Sequence, residues 1–192
     1  MDLYIAKGMP KLYTERLVLR RISKKDIRDI YEYSRLGEST KYLLWYPHLS
    51  IKDTKRNVKR LLKKYKKGSL YDYAVVLKDN GKMIGTCGFS RIEPLDDKAE
   101  IGYVINPSFQ KNGYATEAVR RLIRFGFEEL GLERIEARYI IGNDASCELM
   151  KRVNMTYEGV LRHAVLAKGK HRDVGVFSIL SNEYYKSVSK IK

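Results

Sequence analysis

At 192 residues with 44% hydrophobic content, the chain suits one domain with a core of its own and needs no second. Its two cysteines, Cys87 and Cys147, are far apart and match no paired spacing, which argues against a disulfide framework or a zinc site; His48, His163 and His171 supply no metal cluster. The formal net charge of +15 favours anionic partners, either phosphate-bearing small molecules or nucleic acid, and says nothing about fold.

The stretch Met1 to Lys11 has no apolar signal region, and no later run approaches membrane-spanning length, so a reducing, cytoplasmic setting without membrane contact is expected. Arg16 to Ile22 reads as a strand and Lys24 to Ser34 as a helix. Tyr42, Leu43, Trp45, Tyr46 and His48 follow as an aromatic segment without a regular element. Ile51 to Lys67, ended by Gly68, is an amphipathic helix with Val58, Leu61, Leu62 and Tyr65 on one face. Its basic residues from Lys52 to Lys67 read first as a solvated face, with RNA or ribosome contact as the alternative. Tyr71 to Leu77 and Lys82 to Ile92 are strands joined by the turn Asp79-Asn80-Gly81, and Pro94 to Asp97 leads into the strand Ala99 to Ile105.

Asn106-Pro107 ends that strand, and Thr116 to Leu130 has helical spacing. Between them lies Gln110-Lys111-Asn112-Gly113-Tyr114-Ala115. A glycine where the chain turns into a helix presents free backbone NH groups beside the positive end of the helix dipole, which is an anion site; a lone match of this kind is also compatible with an ordinary turn. Gly131 stops the helix, Arg134 to Ile141 is a strand, and Asn143 caps a short helix running to Val153. Thr156 to Ala167 and Arg172 to Leu180 flank Lys168-Gly169-Lys170 as a hairpin. The order is β, α, α, β, β, β, α, β, α, β, β, with no repeat or linker: a single domain over 1–192, with its core in 12–181 and short flexible ends.

This order resembles the GCN5-related N-acetyltransferases (GNAT), and within them the RimJ/RimL-type branch. Gln110, Gly113 and Ala115 satisfy the acyl-CoA loop pattern of the family. Ala99-Glu100-Ile101-Gly102-Tyr103, Asn143-Asp144-Ala145-Ser146 and Glu158-Gly159-Val160-Leu161-Arg162 match the branch, and four such blocks in order carry more than any one of them. The resemblance implies an α/β (α+β) fold, with a mixed, mostly antiparallel sheet of about seven strands, a V-shaped splay and four main helices. Acetyl-CoA is the implied acetyl donor, with no metal. Its pantetheine arm would bond to backbone near Tyr103, Val104 and Ile105, and its pyrophosphate would rest on the NH groups of Lys111, Asn112, Gly113, Tyr114 and Ala115.

The implied reaction is direct attack of a neutral amine on the thioester through a tetrahedral intermediate. Positioning alone can be worth about 7–11 kcal/mol in favourable systems, so modest acid and base help suffices. Glu100 matches the base that many relatives use, directly or through water, against the plainer reading of a surface glutamate. A backbone NH, that of Val104 or a neighbour, would face the oxyanion. The tyrosine that many relatives use to protonate the thiolate is replaced by Met150; Ser146 is the branch alternative, or a serine bonding locally in a first helical turn. Asn143 can cap the helix, contact CoA, or both, and Cys147 reads as packing because no base partner is apparent. Asn154-Met155 stands where relatives have Gly-Phe, and asparagine tolerates the left-handed stop.

For the acceptor, the resemblance places Tyr42, Trp45, Tyr46 and His48 near the amine pocket, although each reads equally as packing. At neutral pH a protein α-amine, with a pKa of about 8, offers far more free base than lysine at about 10.4. A ribosomal-protein N-terminus fits this and the basic helix 52–67. The alternatives are a small amine (polyamine, amino acid or antibiotic) and a basic RNA-associating or ribosome-associating module with little catalysis. The oligomer is not fixed by the sequence, and a homodimer is compatible with it.

Overall fold

In the computed structural model, residues 9–66 and 71–189 are described; Lys67 and Gly68, the expected end of the basic helix, lie outside them. Eight strands form one sheet in the order β1-β2-β3-β4-β5-β6-β8-β7. They are β1 (Leu12–Tyr13), β2 (Leu17–Arg21), β3 (Tyr71–Leu77), β4 (Met83–Glu93), β5 (Lys98–Ile105), β6 (Arg134–Ile140), β7 (Thr156–Ala167) and β8 (Lys170–Leu180). Every neighbouring pair is antiparallel except β5 with β6. A parallel pair needs a crossover, which α4 (Tyr114–Glu128) provides.

The other described helices are α1 (Ile27–Ser34), α2 (Gly37–Thr40), α3 (Ile51–Lys66), α5 (Asp144–Arg152) and α6 (Ser181–Ser189). The expected helix from Lys24 begins as a single 3-10 turn, Lys24–Asp26, closed by a reciprocal capping box between Ser23 and Asp26. The one-turn α2 and the C-terminal α6 add to the four expected helices, and β1 brings the sheet to eight. The C-terminal part, expected to be a short flexible end, is helical through Ser189 and packs Tyr184 against Phe127 with ring centroids 5.1 Å apart.

The two faces of the sheet carry separate cores. On one, α4 buries Ala118, Val119, Leu122, Ile123 and Phe125 against Tyr73, Phe89, Ile101 and Ile135, and α5 adds Leu149 and Met150. Close approach needs Gly126, because a Cβ there would come within 2.7 Å of Ile135 Cδ1 and 3.0 Å of Phe89 Cζ. On the other face α1 and α3 bury Ile30, Tyr33, Val58 and Tyr65 against Ala74, Val76 and Met83. The basic helix therefore packs by its apolar stripe and turns its charges outward. Two of the hairpin turns rest on left-handed residues: Gly81 (φ 72°) between β3 and β4, and Lys168 (φ 51°) with Gly169 (φ 76°) between β7 and β8.

Candidate active site

β5 and β6 keep parallel register only from Lys98–Arg134 through Ile101–Ala137. Beyond that point β5 stays with β4 as far as Ile105, and β6 stays with β8 as far as Ile140, so the two strands part in a V. The direction of the freed backbone groups follows from one hydrogen bond. Asn106 N–H donates to Ile84 O at 2.8 Å, and antiparallel ladders alternate bonded with non-bonded pairs. Val104 and Gly102 therefore direct their backbone groups to β4, while Tyr103 and Ile105 turn theirs into the gap. The candidate oxyanion donors narrow to the N–H groups of Tyr103 and Ile105, because the ladder takes that of Val104.

A cavity of about 410 Å³ opens beside the parted end of β5, lined by Tyr103, Val104 and Ile105 on the strand side and by no residue of β6. The loop contributes Gln110, Lys111, Gly113, Tyr114 and Ala115; α5 contributes Asn143 and Ser146; Tyr42 closes the rim. Asn112 does not line the cavity but braces the loop. Its side chain donates to Gln110 O at 3.0 Å, and its carbonyl accepts from Arg16 Nη1 at 3.0 Å. Gln110 Nε2 ties the loop to the strand through Ile105 O, also at 3.0 Å. Lys111 (φ 63°) and Gly113 (φ 79°) are both left-handed, which turns the chain abruptly into α4. The first intrahelical bond runs from Glu117 N–H to Gly113 O, leaving the N–H groups of Tyr114, Ala115 and Thr116 without helical partners.

A carboxylate in that first turn would repel an anion, but Glu117 is bound elsewhere. Burial raises its pKa, and hydrogen bonds from Thr14 Oγ1 (2.6 Å) and Arg16 Nε (2.7 Å) outweigh burial and hold it below the usual carboxylate range. Arg16 also lies over the Tyr114 ring, 4.6 Å from its centroid, so a cation backs the loop.

Ser146 is buried in the first turn of α5, with its Oγ 2.6 Å from the Tyr103 hydroxyl. Burial pushes the Tyr103 phenol up to about 12, so it stays protonated at neutral pH. Met150, in the position of the missing tyrosine, is packed in the core. The phenol that accompanies Ser146 thus comes from β5, a contact across 43 residues that helix spacing cannot reveal. Asn143 occupies the N-cap position of α5 without a side-chain cap bond; its carbonyl accepts from Ser146 and Cys147 N–H. The capping expected of its side chain is absent, and that side chain lines the cavity instead.

Glu100 lies on the opposite face of β5 from Tyr103, one rung before the last paired residues. It does not line the cavity, although Val104, on the same face, does. Burial raises the Glu100 carboxyl above the ordinary glutamate value, although Arg138 Nε, 3.3 Å away, opposes the shift.

The acetyltransferase (GNAT) domain family matches residues 16–156. The chain belongs to that family. It is an N-acetyltransferase of the GNAT type, and enzymes of this family take their acetyl group from acetyl-CoA. It is 35% identical over 176 residues to the uncharacterized N-acetyltransferase p20 of Bacillus licheniformis, covering 92% of this chain and 99% of that one. It is 25% identical to the ribosomal-protein-serine acetyltransferase of Escherichia coli, covering 86% and 93%. The crystal structure of a GNAT acetyltransferase from Bacillus anthracis superposes with a TM-score of 0.81 at 26% identity, covering 91% of this chain and all of that one.

Of the aromatic segment, only Tyr42 and Leu43 reach the GNAT cavity. Trp45, Tyr46 and His48 wall a second cavity of about 410 Å³ against α3. His48 is held in place there, its Nδ1 lying 2.8 Å from both Ser34 Oγ and Thr54 Oγ1, and burial lowers its pKa, with Arg60 adding to the effect. Cys87 is buried in the core, and the partly buried Cys147 packs against it. Asn154 stops α5 at φ 63°. Among the described residues no cluster of His, Cys, Asp and Glu could hold a metal, and no helix is long and apolar enough to cross a membrane.

Proposed function

We propose that this chain acetylates the α-amine of a protein N-terminus, of the ribosomal-protein kind, by direct attack on acetyl-CoA bound in the V between β5 and β6. The carrying observation is the parting of those strands after Ile101 and Ala137, with the backbone of Tyr103 and Ile105 turned into a cavity that meets the N-terminus of α4. Acetyl-CoA would supply the acetyl group and the thiol leaving group. The loop and the first turn of α4 fit its pyrophosphate: free N–H groups, a helix dipole, and a first-turn carboxylate already neutralised by Arg16.

In this reading Glu100 takes the proton that the amine loses, through water, since it stands beside the V and not in the cavity wall. The N–H of Tyr103 or Ile105 steadies the oxyanion. The hydroxyl pair of Ser146 and Tyr103 returns a proton to the departing thiolate. The N-terminal acceptor is supported by the likeness to the E. coli ribosomal-protein-serine acetyltransferase and by the larger free-base fraction of an α-amine. The test is thiol release from acetyl-CoA with peptides, free amino acids, polyamines and aminoglycosides as acceptors. Turnover confined to polyamines or antibiotics would reassign the acceptor. Release with none of them, alongside salt-dependent RNA binding, would favour the binding-module reading.

Two variants probe the site. Ser146→Ala and Tyr103→Phe are each expected to lower kcat by about a hundredfold, the low end of general acid help, because each leaves one hydroxyl of the pair in place. If the hydroxyls act as one unit, the double variant falls little below either single one; multiplied losses in steady-state rates would show them to be independent. Gly113→Ala places a Cβ on a left-handed residue, 3.3 Å from Arg16 Nη2, at a cost of about 1–2 kcal/mol. A raised KM for acetyl-CoA together with a lowered melting temperature is expected; an unchanged KM would separate the loop from the cofactor.

A further inference from the structure

The second cavity has a composition that the acetyl-transfer chemistry does not use. Along α3, Asp53, Arg56, Arg60 and Lys64 recur at helical spacing and form one wall. Trp45, Tyr46 and His48 form the other, with the Trp45 and His48 rings 5.3 Å apart. The carboxylate is already engaged: Asp53 accepts from Ser50 N–H at 2.9 Å and pairs with Arg56. Arg60 is exposed, and among the described residues no hydrogen bond or ion pair holds its guanidinium. The lining therefore offers three cations against one carboxylate, beside aromatic rings that cover the apolar part of a ligand.

Its position ties it to the acceptor. The chain from Glu38 to Leu43 borders the GNAT cavity, and the next residues, Trp45 to His48, border this one. Lys168 at the tip of the β7–β8 hairpin anchors that connection, donating to Thr40 O at 2.6 Å and lying 5.9 Å from the Tyr46 ring centroid. Exposed Leu44, Tyr46 and Leu49 lie along the same segment. Leu43 lines the first cavity and Trp45, two residues on, lines the second, so an extended acceptor chain that follows this segment runs from one lining to the other.

We infer that the cavity between the 45–48 segment and α3 receives the acceptor polypeptide just downstream of its N-terminus, and that it selects acceptors carrying Asp or Glu there. This rests on the N-terminal amine reading above. The carboxylates meet Arg60, in a lining whose net charge Arg56 and Lys64 keep positive, and an apolar neighbour lies on Trp45 and Tyr46. The favoured partner is a protein chain and not an RNA, because the cavity continues the segment that rims the acetyl-transfer cavity.

The experiment compares kcat/KM for peptide pairs identical at the first two residues and bearing Asp and Glu, or Asn and Gln, from the third onward. One partly exposed charge pair is worth up to about fivefold, so an acidic preference of about tenfold or more at low salt, shrinking as salt rises, is expected. Arg60→Glu should abolish or invert the ratio, whereas Lys55→Glu, the same charge change on a residue outside the cavity lining, should keep it. Equal rates for the two peptides, or equal losses in both variants, would overturn the inference and leave the N-terminal reading standing. No turnover of either peptide, with small amines acetylated, would overturn that reading and the inference with it. Loss of RNA binding in Arg60→Glu with an unchanged peptide ratio would give the cavity to RNA and overturn the inference.

Discussion

Glu100→Gln is expected to lower kcat by about a hundredfold to ten-thousandfold, the range that positioned base catalysis covers, with acetyl-CoA binding retained. The expectation follows from where Glu100 stands. It occupies the next-to-last rung of the β5–β6 ladder, so its carboxyl is fixed by paired backbone immediately beside the point where the strands part. Burial raises its pKa above the ordinary glutamate value, and Arg138 at 3.3 Å limits the rise. A base acts in its deprotonated form, so kcat/KM should fall as pH drops through the Glu100 pKa, on an acid limb above the ordinary glutamate value. Arg138→Gln removes the opposing cation and should move that limb to higher pH; a limb that stays put would separate it from Glu100. Near wild-type turnover in purified Glu100→Gln would place the base elsewhere.

The sequence carried the loop and the helices around the site more fully than the site itself. Gln110, Gly113 and the apolar spacing of α4 are local signals, and the left-handed Gly113 opens the helix two residues before Thr116, where it was expected to begin. The V is not local, because it depends on where two strands more than thirty residues apart stop pairing. The same holds for Tyr103 and Ser146: each was readable on its own, and their contact was not. His48 reads as an acceptor residue among aromatics; what the sequence does not show is that Ser34, on α1, and Thr54, on α3, hold its ring against the second cavity and not the GNAT one. Short elements escaped for an energetic reason. Two-residue β1 and four-residue α2 are held by tertiary contacts, with too few residues to show a period.

Asp72→Asn should stabilise the fold in a strongly pH-dependent way. Asp72 lies on β3 opposite Gly88, with its backbone carbonyl accepting from the Tyr65 hydroxyl. Burial pushes its carboxyl from an ordinary 3.8 up to about 7, with Lys64 only partly opposing. Below 3.8 both folded and unfolded chains hold the proton, and the group costs nothing. As pH rises from there to about 7, the unfolded chain releases its proton while the folded chain keeps it, so stability declines. Above about 7 the loss is complete; Asp72 is half-buried, so solvent screens part of the penalty and it stays below about 4 kcal/mol. Asparagine does not titrate, so the variant should melt up to about 10 °C higher than wild type at pH 8, with the gap closing toward pH 4. Thermal melts of both proteins across that range decide the matter: a gap that stays constant with pH would mean that the Asp72 carboxylate is not held in a low-dielectric site. Without the penalty the strand would be more stable at neutral pH, so at Asp72 sheet stability gives way to a carboxyl on the face that α1 and α3 cover.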